Sequence, residues 1–352
     1  MRIAFLGDGR MGHVRRWVSY FMNRGHEVLL FSHEDPSGCL FPHQRMRGYL
    51  PTMTLSYLSA MPKVRRKLAR FKPDLVNALY AGGYGSCAAL SGYPYVVSTL
   101  GSDLLIDFPN HPVHRAMIRA NLRKAGLVTT DAELLSEIVR EAGVPDARIL
   151  KAYFGVEPEI FFPSSSVTAD RRKPRLISTR NLHSIYGLDD LIEAVPWIRA
   201  EYQAEFDLCG DGPERVRLEL KAEQIATSTC RFYGKLDAPA IAELLRAATI
   251  YLSTSRSDST SVSLLEAMAC GAVPVVSDIP ANHEWIVEGE NGLFYETGKG
   301  EDLARAVNKL LSDDALREIM RRRNLEIINE RGLWKDNMAR VEQAFEKLVL
   351  SA

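Results

Sequence analysis

The chain is short of three things: net charge, paired cysteines and long apolar runs. Its 352 residues carry 44 lysines and arginines against 44 aspartates and glutamates. That balance argues against a polybasic nucleic-acid binder, whose affinity comes from counterion release. The five cysteines (Cys39, Cys87, Cys209, Cys230 and Cys270) are scattered and include no CxxC pair. Neither a zinc knuckle nor a disulfide framework is indicated. Cys87 and Cys270 sit in alanine-rich stretches and read as small core residues. No segment approaches the ~20 apolar residues needed to span a bilayer. The opening run Arg2–Leu6 stops at Gly7, well short of a signal peptide's apolar region and cleavage site. These absences set the expectation of a cytoplasmic, reduced protein with no metal and no cofactor.

What is present belongs to an ordinary globular protein. Hydrophobic residues make up 46% and charged residues 25%, which argues against disorder. At about 150 residues per domain the length suggests two domains. Zero net charge hides a split. Up to Pro163 there are 20 basic and 14 acidic residues, an excess of six positive; beyond it there are 24 and 30, an excess of six negative.

The pattern along the chain is β/α twice over. Ile3–Leu6, Val28–Phe31, Leu75–Ala78, Tyr95–Thr99 and Leu127–Thr130 are short apolar runs separated by helical periodicity. A polar, serine-rich stretch from Pro163 to Pro174 reads as a linker. A second series follows, with strands expected at Arg175–Thr179, Glu205–Cys209, Cys230–Tyr233, Ile250–Ser253 and Val273–Ser277. The predicted fold class is α/β, two doubly wound Rossmann-like domains facing a cleft. The predicted domains are 1–163 and 164–333. A last amphipathic helix, 334–350, has no strand after it and is free to pack back on the first domain.

Two polar segments suggest chemistry. Gly7-Asp-Gly9-Arg-Met-Gly12 spells GxGxxG between a strand and a helix, a pattern that lets backbone approach a diphosphate. Glu34 fits loosely as the acidic residue expected about 20 positions on for a ribose. An NAD(P)-dependent oxidoreductase and a plain tight turn are both open readings of that loop. The second segment is sharper. Residues 250–271 run from a buried strand into Ser257-Asp258-Ser259-Thr260-Ser261, then into a helix closed by Gly271. The free N–H groups of its first turn, Val262 among them, and the hydroxyls of Ser259, Thr260 and Ser261 make an anion site. Asp258 before the helix and Glu266 within it can each accept hydrogen bonds from two hydroxyls. Asp258 could instead be a helix cap, and Glu266 a solvated helix residue.

Ser257–Gly271, followed by Ala272–Ser277, resembles the Glu-x7-Glu region of the retaining glycosyltransferases of family 4 (glycosyl transferases group 1), which have the GT-B fold. Three further pieces agree in order: Phe154-Gly-Val-Glu157 with Phe161-Phe-Pro163, Cys209-Gly-Asp-Gly-Pro213, and Asn291-Gly-Leu-Phe294. The resemblance implies an enzyme that moves a sugar from a nucleotide-diphosphate sugar to an acceptor hydroxyl with retention of configuration. It implies that Asp258 stands for the first glutamate, on the donor sugar, and Glu266 for the second, on the ribose. Arg180 matches the arginine on the diphosphate and Gly9 the glycine whose backbone approaches it. Leu236 sits where backbone reads the base. Tyr186 replaces the family's lysine and supplies no charge. The family's first-domain histidine is absent, with Gly101 in its place, so Asp103 becomes the nearest catalytic candidate, or else a turn or cap residue. His13 joins Asp103 as a candidate on the acceptor side. A sugar-nucleotide epimerase of the same fold is a further alternative.

The acceptor leaves a fainter trace. Pro62–Lys72 packs six basic residues into eleven, with Val64, Leu68 and Phe71 at helical spacing. It reads either as a helix docked on its own domain or as a patch for an anionic membrane surface, consistent with a peripheral enzyme of polysaccharide, lipopolysaccharide or glycolipid assembly. Expected partners are thus the sugar nucleotide, a glycan, lipid-linked or small-molecule acceptor, and no nucleic acid.

Overall fold

The computed structural model describes residues 1–351 apart from 37, 47, 49–52, 111, 165–172 and 227–228. The chain divides into two compact units, Met1–Phe154 with Asp336–Ala352, and Gly155–Lys335.

The first unit is built on a seven-stranded parallel sheet. Its strands are β1 (Arg2–Leu6), β2 (Glu27–Ser32), β3 (His43–Arg45), β4 (Leu75–Leu79), β5 (Tyr95–Ser98), β6 (Leu127–Thr130) and β7 (Ile149–Lys151), in the order β3-β2-β1-β4-β5-β6-β7. Helices α1 (Gly12–Asn23), α2 (Met53–Phe71), α3 (Gly83–Ala89), α4 (Phe108–Asn110), α5 (Pro112–Lys124) and α6 (Glu133–Glu141) connect them. Strands covered on both faces are predominantly apolar, and β4, β5 and β6 are buried at every position, with Asn77, Ser98, Thr129 and Thr130 as their polar exceptions.

The second unit repeats the plan with six parallel strands. These are β8 (Arg175–Ser178), β9 (Glu205–Cys209), β10 (Cys230–Gly234), β11 (Ile250–Ser253), β12 (Val273–Ser277) and β13 (Leu293–Tyr295), in the order β10-β9-β8-β11-β12-β13. Its helices are α7 (Asp189–Arg199), α8 (Arg215–Ala226), α9 (Ala238–Ala247), α10 (Val262–Cys270), α11 (Pro280–His283), α12 (Gly300–Ser312) and α13 (Asp314–Ile327). In each sheet the strand order reverses once, between β1 and β4 and between β8 and β11. Ligands of open α/β sheets bind at the carboxyl ends of strands flanking such a reversal.

The passage between units comes earlier than the expected boundary at Pro163. The chain leaves the first unit after Phe154. Val156 then pairs with Leu333 as a parallel bridge, its N–H donating to Gly332 O at 2.8 Å and its carbonyl accepting from Trp334 N at 2.9 Å. These bonds stitch the 155–163 segment into the second unit. Most of the expected linker, residues 165–172, lies outside the described residues.

The last helix, α14 (Trp334–Leu350), packs its later turns on the first unit. Phe345 stacks on Phe21 with ring centres 5.2 Å apart. Glu342 accepts from Tyr20 Oη at 2.9 Å and Arg24 Nε at 3.1 Å and lies 2.7 Å from His26 Nε2. Burial alone would raise the pKa of this carboxyl, but the bonds from His26, Tyr20 and Arg24 outweigh it and lower the value. Among the described residues, no helix is long and apolar enough to cross a membrane.

Phe345 has no exposed surface, whereas Leu350 at the end of the same helix is 88% exposed. Phe345→Ala is expected to cost about 3–5 kcal/mol of stability, and Leu350→Ala close to nothing. Thermal unfolding of the two variants beside the parent checks this.

Candidate functional site

The reversal between β8 and β11 is where the sequence candidates meet. Arg180 lies just beyond the carboxyl end of β8, and the loop 254–261 leaves the carboxyl end of β11. Arg180 is buried. Its Nη1 donates to Ser261 Oγ at 2.7 Å and Ser263 Oγ at 3.0 Å, and its Nη2 to Asp258 Oδ2 at 2.7 Å. Ser263 Oγ also accepts from the hydroxyl of Tyr251, at 2.9 Å. The ring of Tyr186 covers the guanidinium at 4.1 Å, within cation–π range. Burial pulls the Arg180 pKa down, but Asp258, Tyr251 and Tyr186 more than offset it. Arg180 is therefore a buried, charged group.

The loop itself is held from below. Thr254 Oγ1 donates to Tyr186 O at 2.7 Å and Arg256 N to Ile185 O at 2.8 Å. Arg256 then grips the buried Asp190 with two bonds of 2.6 Å. Asp190 accepts also from Tyr295 Oη and Gly298 N. Ser261 is the N-cap of α10, its Oγ accepting from Leu264 N. Asp258 Oδ1 accepts from its neighbour Ser259 N at 3.0 Å. Ser259 and Thr260 are buried, and Val262 opens the helix. Glu266, at the start of the second turn, is half-buried. Leu236 lies half-buried in the loop between β10 and α9. The Cys209–Pro213 turn closes in on Arg180 from the β9 side: a Cβ on Gly210 would stand 2.4 Å from Arg180 O, so only glycine fits. The close partners Tyr251 and Ser263 were not singled out in the sequence. An aromatic on a buried strand and a small residue in a first helical turn look like core and cap.

The remaining candidates belong to the first unit. Gly9 N–H donates to Ser32 Oγ at 3.1 Å, and Gly9 O accepts from Arg15 Nε at 2.5 Å. A Cβ here would stand 2.6 Å from Pro36 Cβ. Gly9 thus has a packing reason to be glycine, with both backbone groups committed within its own unit. His13 is exposed in the first turn of α1, its ring 5.0 Å from that of Phe154. Asp103 departs from the expectation of a catalytic or acceptor-side residue. It has no exposed surface; its Oδ2 accepts from Ala81 N at 2.8 Å and its Oδ1 from Leu100 N at 3.1 Å. A carboxylate closed off from solvent and holding two backbone amides is a loop brace, which is the turn reading of this residue. In the basic helix, Val64 and Leu68 are fully packed in the core, so its apolar stripe faces inward and its charged face outward. One metal-capable trio, His26, Glu342 and Glu346, occurs among the described residues. Both ring nitrogens of His26 already have partners there, the Met1 amino group and Glu342.

Comparison with known proteins gives a consistent picture. The family described as glycosyl transferases group 1 matches residues 164–326, and the family described as glycosyl transferase 4-like matches residues 2–132. The chain is 27% identical over 293 residues to N-acetyl-alpha-D-glucosaminyl L-malate synthase of Bacillus anthracis, covering 80% of this chain and 75% of that one. It is 26% identical over 269 residues to the lipopolysaccharide core biosynthesis glycosyltransferase LpsE of Rhizobium meliloti, covering 76% and 74%. In fold it is similar to Anabaena HepE, solved in complex with UDP-glucose, with a TM-score of 0.82 at 18% identity, covering 99% and 100%. Neither the matches nor the geometry of the Gly9 loop supports the nicotinamide-dependent reading.

Burial pushes the Asp103 carboxyl up to about 6, the two amide bonds offsetting only part of the effect. Its unfolded value is near 3.8. Between these values the folded state binds the extra proton, so this group's contribution to stability improves as pH falls through about 6 and is complete below the unfolded value. The difference in melting temperature between the parent and Asp103→Asn should therefore move in the parent's favour from pH 7 to pH 5. A constant difference would assign Asp103 an ordinary pKa.

Proposed function

The chain is a family-4-like glycosyltransferase of the GT-B fold, and from that premise we propose that it transfers a sugar from a nucleotide-diphosphate sugar to an acceptor hydroxyl with retention of configuration. The observation that carries this reading is the cluster of Arg180, Asp258, Ser261 and Ser263 at the β8/β11 reversal. It unites a cation, hydroxyls, a carboxylate and a helix N-terminus, the chemistry a departing diphosphate and a sugar require.

Charge builds on the phosphate oxygens as the glycosidic bond breaks. Groups aimed at that charge dominate such catalysis, each worth about 3 kcal/mol. In this reading Arg180 and the first turn of α10, with Ser259, Thr260, Ser261 and Val262, take the diphosphate. Asp258 accepts from the sugar hydroxyls, Glu266 from the ribose, and the backbone near Leu236 reads the base. These protein groups meet the charge without a metal cofactor. The acceptor hydroxyl attacks from the face the diphosphate leaves and passes its proton to the departing phosphate oxygen, which preserves the anomeric configuration. The acceptor falls to the first unit, with His13 as its remaining named candidate. The work fits the assembly of polysaccharide, lipopolysaccharide or glycolipid.

The exposed charges of the first unit suggest where such an acceptor is presented. Neither α2 nor α5 contains an acidic residue, and Arg65, Arg66 and Arg70 on one and Arg119, Arg123 and Lys124 on the other are exposed. Like charges at Lys63, Arg66 and Arg70 add to burial in lowering the Lys67 pKa. Each lysine or arginine near an anionic bilayer is worth about 1 kcal/mol. In this reading the enzyme is peripheral on the cytoplasmic face of a membrane.

Three experiments test these readings. A thermal-shift panel of UDP-, GDP-, ADP- and dTDP-sugars beside NAD(P)H should show stabilisation by one sugar nucleotide and none by NAD(P)H. With that donor, Glu266→Ala and Arg180→Ala should lower turnover by at least about 10²-fold; near-normal turnover in either variant would remove its assigned role. Separately, reversing charge at Arg65, Arg66 and Lys67 should weaken binding to phosphatidylglycerol vesicles, most visibly at low salt. Unchanged binding rules the membrane surface out.

A further inference from the structure

Arg180 is already taken. Nη1 is committed to two serines and Nη2 to Asp258. Nε is buried and has no hydrogen-bond partner. Tyr186 covers one face of the guanidinium. The Arg180–Asp258 pair is well screened from solvent, with side chains 9% and 16% exposed. The next cation on the loop, Arg256, is bound twice over to Asp190. The position that would carry a second cation beside Arg180 holds Tyr186 instead. A diphosphate arriving here meets a pair whose charges cancel.

We propose that Asp258 is an internal competitor for the donor's diphosphate: it occupies Arg180 until a phosphate displaces it, and only then is it available to the hydroxyls of the donor sugar. This rests on the donor site argued above. The exchange follows from the pairing itself: Arg256, the next cation on the loop, is already bound to Asp190, so a phosphate gains a guanidinium edge only where Asp258 gives one up. It is also mechanically simple. Oδ1 remains tied to Ser259 N while Oδ2 leaves Arg180, so a rotation within the loop suffices.

The exchange makes the site selective. A sugar nucleotide offers both replacements, phosphate for Asp258 on Arg180 and hydroxyls for Arg180 on Asp258. The product nucleoside diphosphate offers only the first and leaves a partly buried carboxylate without its partner, an arrangement that costs free energy. The product should therefore be held weakly and leave readily. In this role Asp258 positions and gates as well as binding the sugar.

The test is calorimetric titration of the full chain with inorganic pyrophosphate and with UDP, comparing the parent with Asp258→Asn. Removing the competing charge while keeping an acceptor for Ser259 N should tighten pyrophosphate binding about tenfold or more, even as sugar transfer falls. A variant that had merely lost structure would bind more weakly. Asp258→Glu, which restores a carboxylate, should return pyrophosphate affinity towards the parent's, and Asp258→Ser supplies a second neutral variant if asparagine prevents folding. Equal or weaker pyrophosphate binding in the neutral variants overturns the exchange. The Arg180→Ala variant separates this failure from the larger one. If pyrophosphate binds the Asp258→Asn protein equally well with and without Arg180→Ala, the donor-site reading itself falls; if binding needs Arg180 but ignores Asp258, only the exchange falls.

Discussion

A guanidinium buried at the carboxyl end of a parallel sheet is costly to desolvate, and the second unit is arranged around meeting that cost at Arg180. An isolated buried charge would be lost or would unfold its surroundings. Here one carboxylate, two hydroxyls and an aromatic face hold it. Each partner is itself fixed. Ser261 is locked as the cap of α10, Ser263 accepts from Tyr251, and the Asp258 loop is tied through Arg256 to Asp190. Polar groups in such a network position one another, so a change at one is felt at the next. Ser261 shows the economy of this arrangement, since one hydroxyl closes the helix and orients the arginine.

The first unit has the same sheet plan but uses its equivalent turn differently. Gly9 after β1 is closely packed against Pro36 and has no free backbone group. Asp103 is drawn into the interior by two backbone amides. Both residues look functional as letters in a sequence, because glycine in a strand-to-helix turn and aspartate after a glycine recur in sites. Both also meet a requirement of chain geometry. The same residue types do different work according to whether their polar atoms are already committed.

How much was legible follows from the physics of each feature. The long strands are readable because a strand covered on both faces is predominantly apolar, as β4 and β11 are apart from Asn77 and Ser253. The cap at Ser261 and the glycine closing α10 were readable because helix ends have local requirements. The three-residue strands β3 and β7 were not, since three residues are too few to carry a pattern and β3 is polar besides. Helix α2 was seen only in part because Pro62 suggests a start, whereas the helix begins at Met53 and runs through it. The passage at Phe154–Gly155 was hidden because it depends on hydrogen bonds to Gly332 and Trp334, far along the chain. Composition marked the serine-rich stretch instead.

The replacement of a lysine by Tyr186 illustrates what only the structure could add. In the sequence it counts as a missing charge and hence a weaker grip on a diphosphate. In the fold its ring lies against Arg180, where a second cation would have repelled it. Attraction to a cation survives, but the long-range pull on anions does not, because Arg180 and Asp258 together carry no net charge. A site with two free cations attracts phosphate of any kind. A site whose one cation is already paired favours a ligand that can satisfy both members of the pair. The negative excess of the sequence beyond Pro163 points the same way: bulk charge there does not gather anions, and recognition is left to contacts at short range.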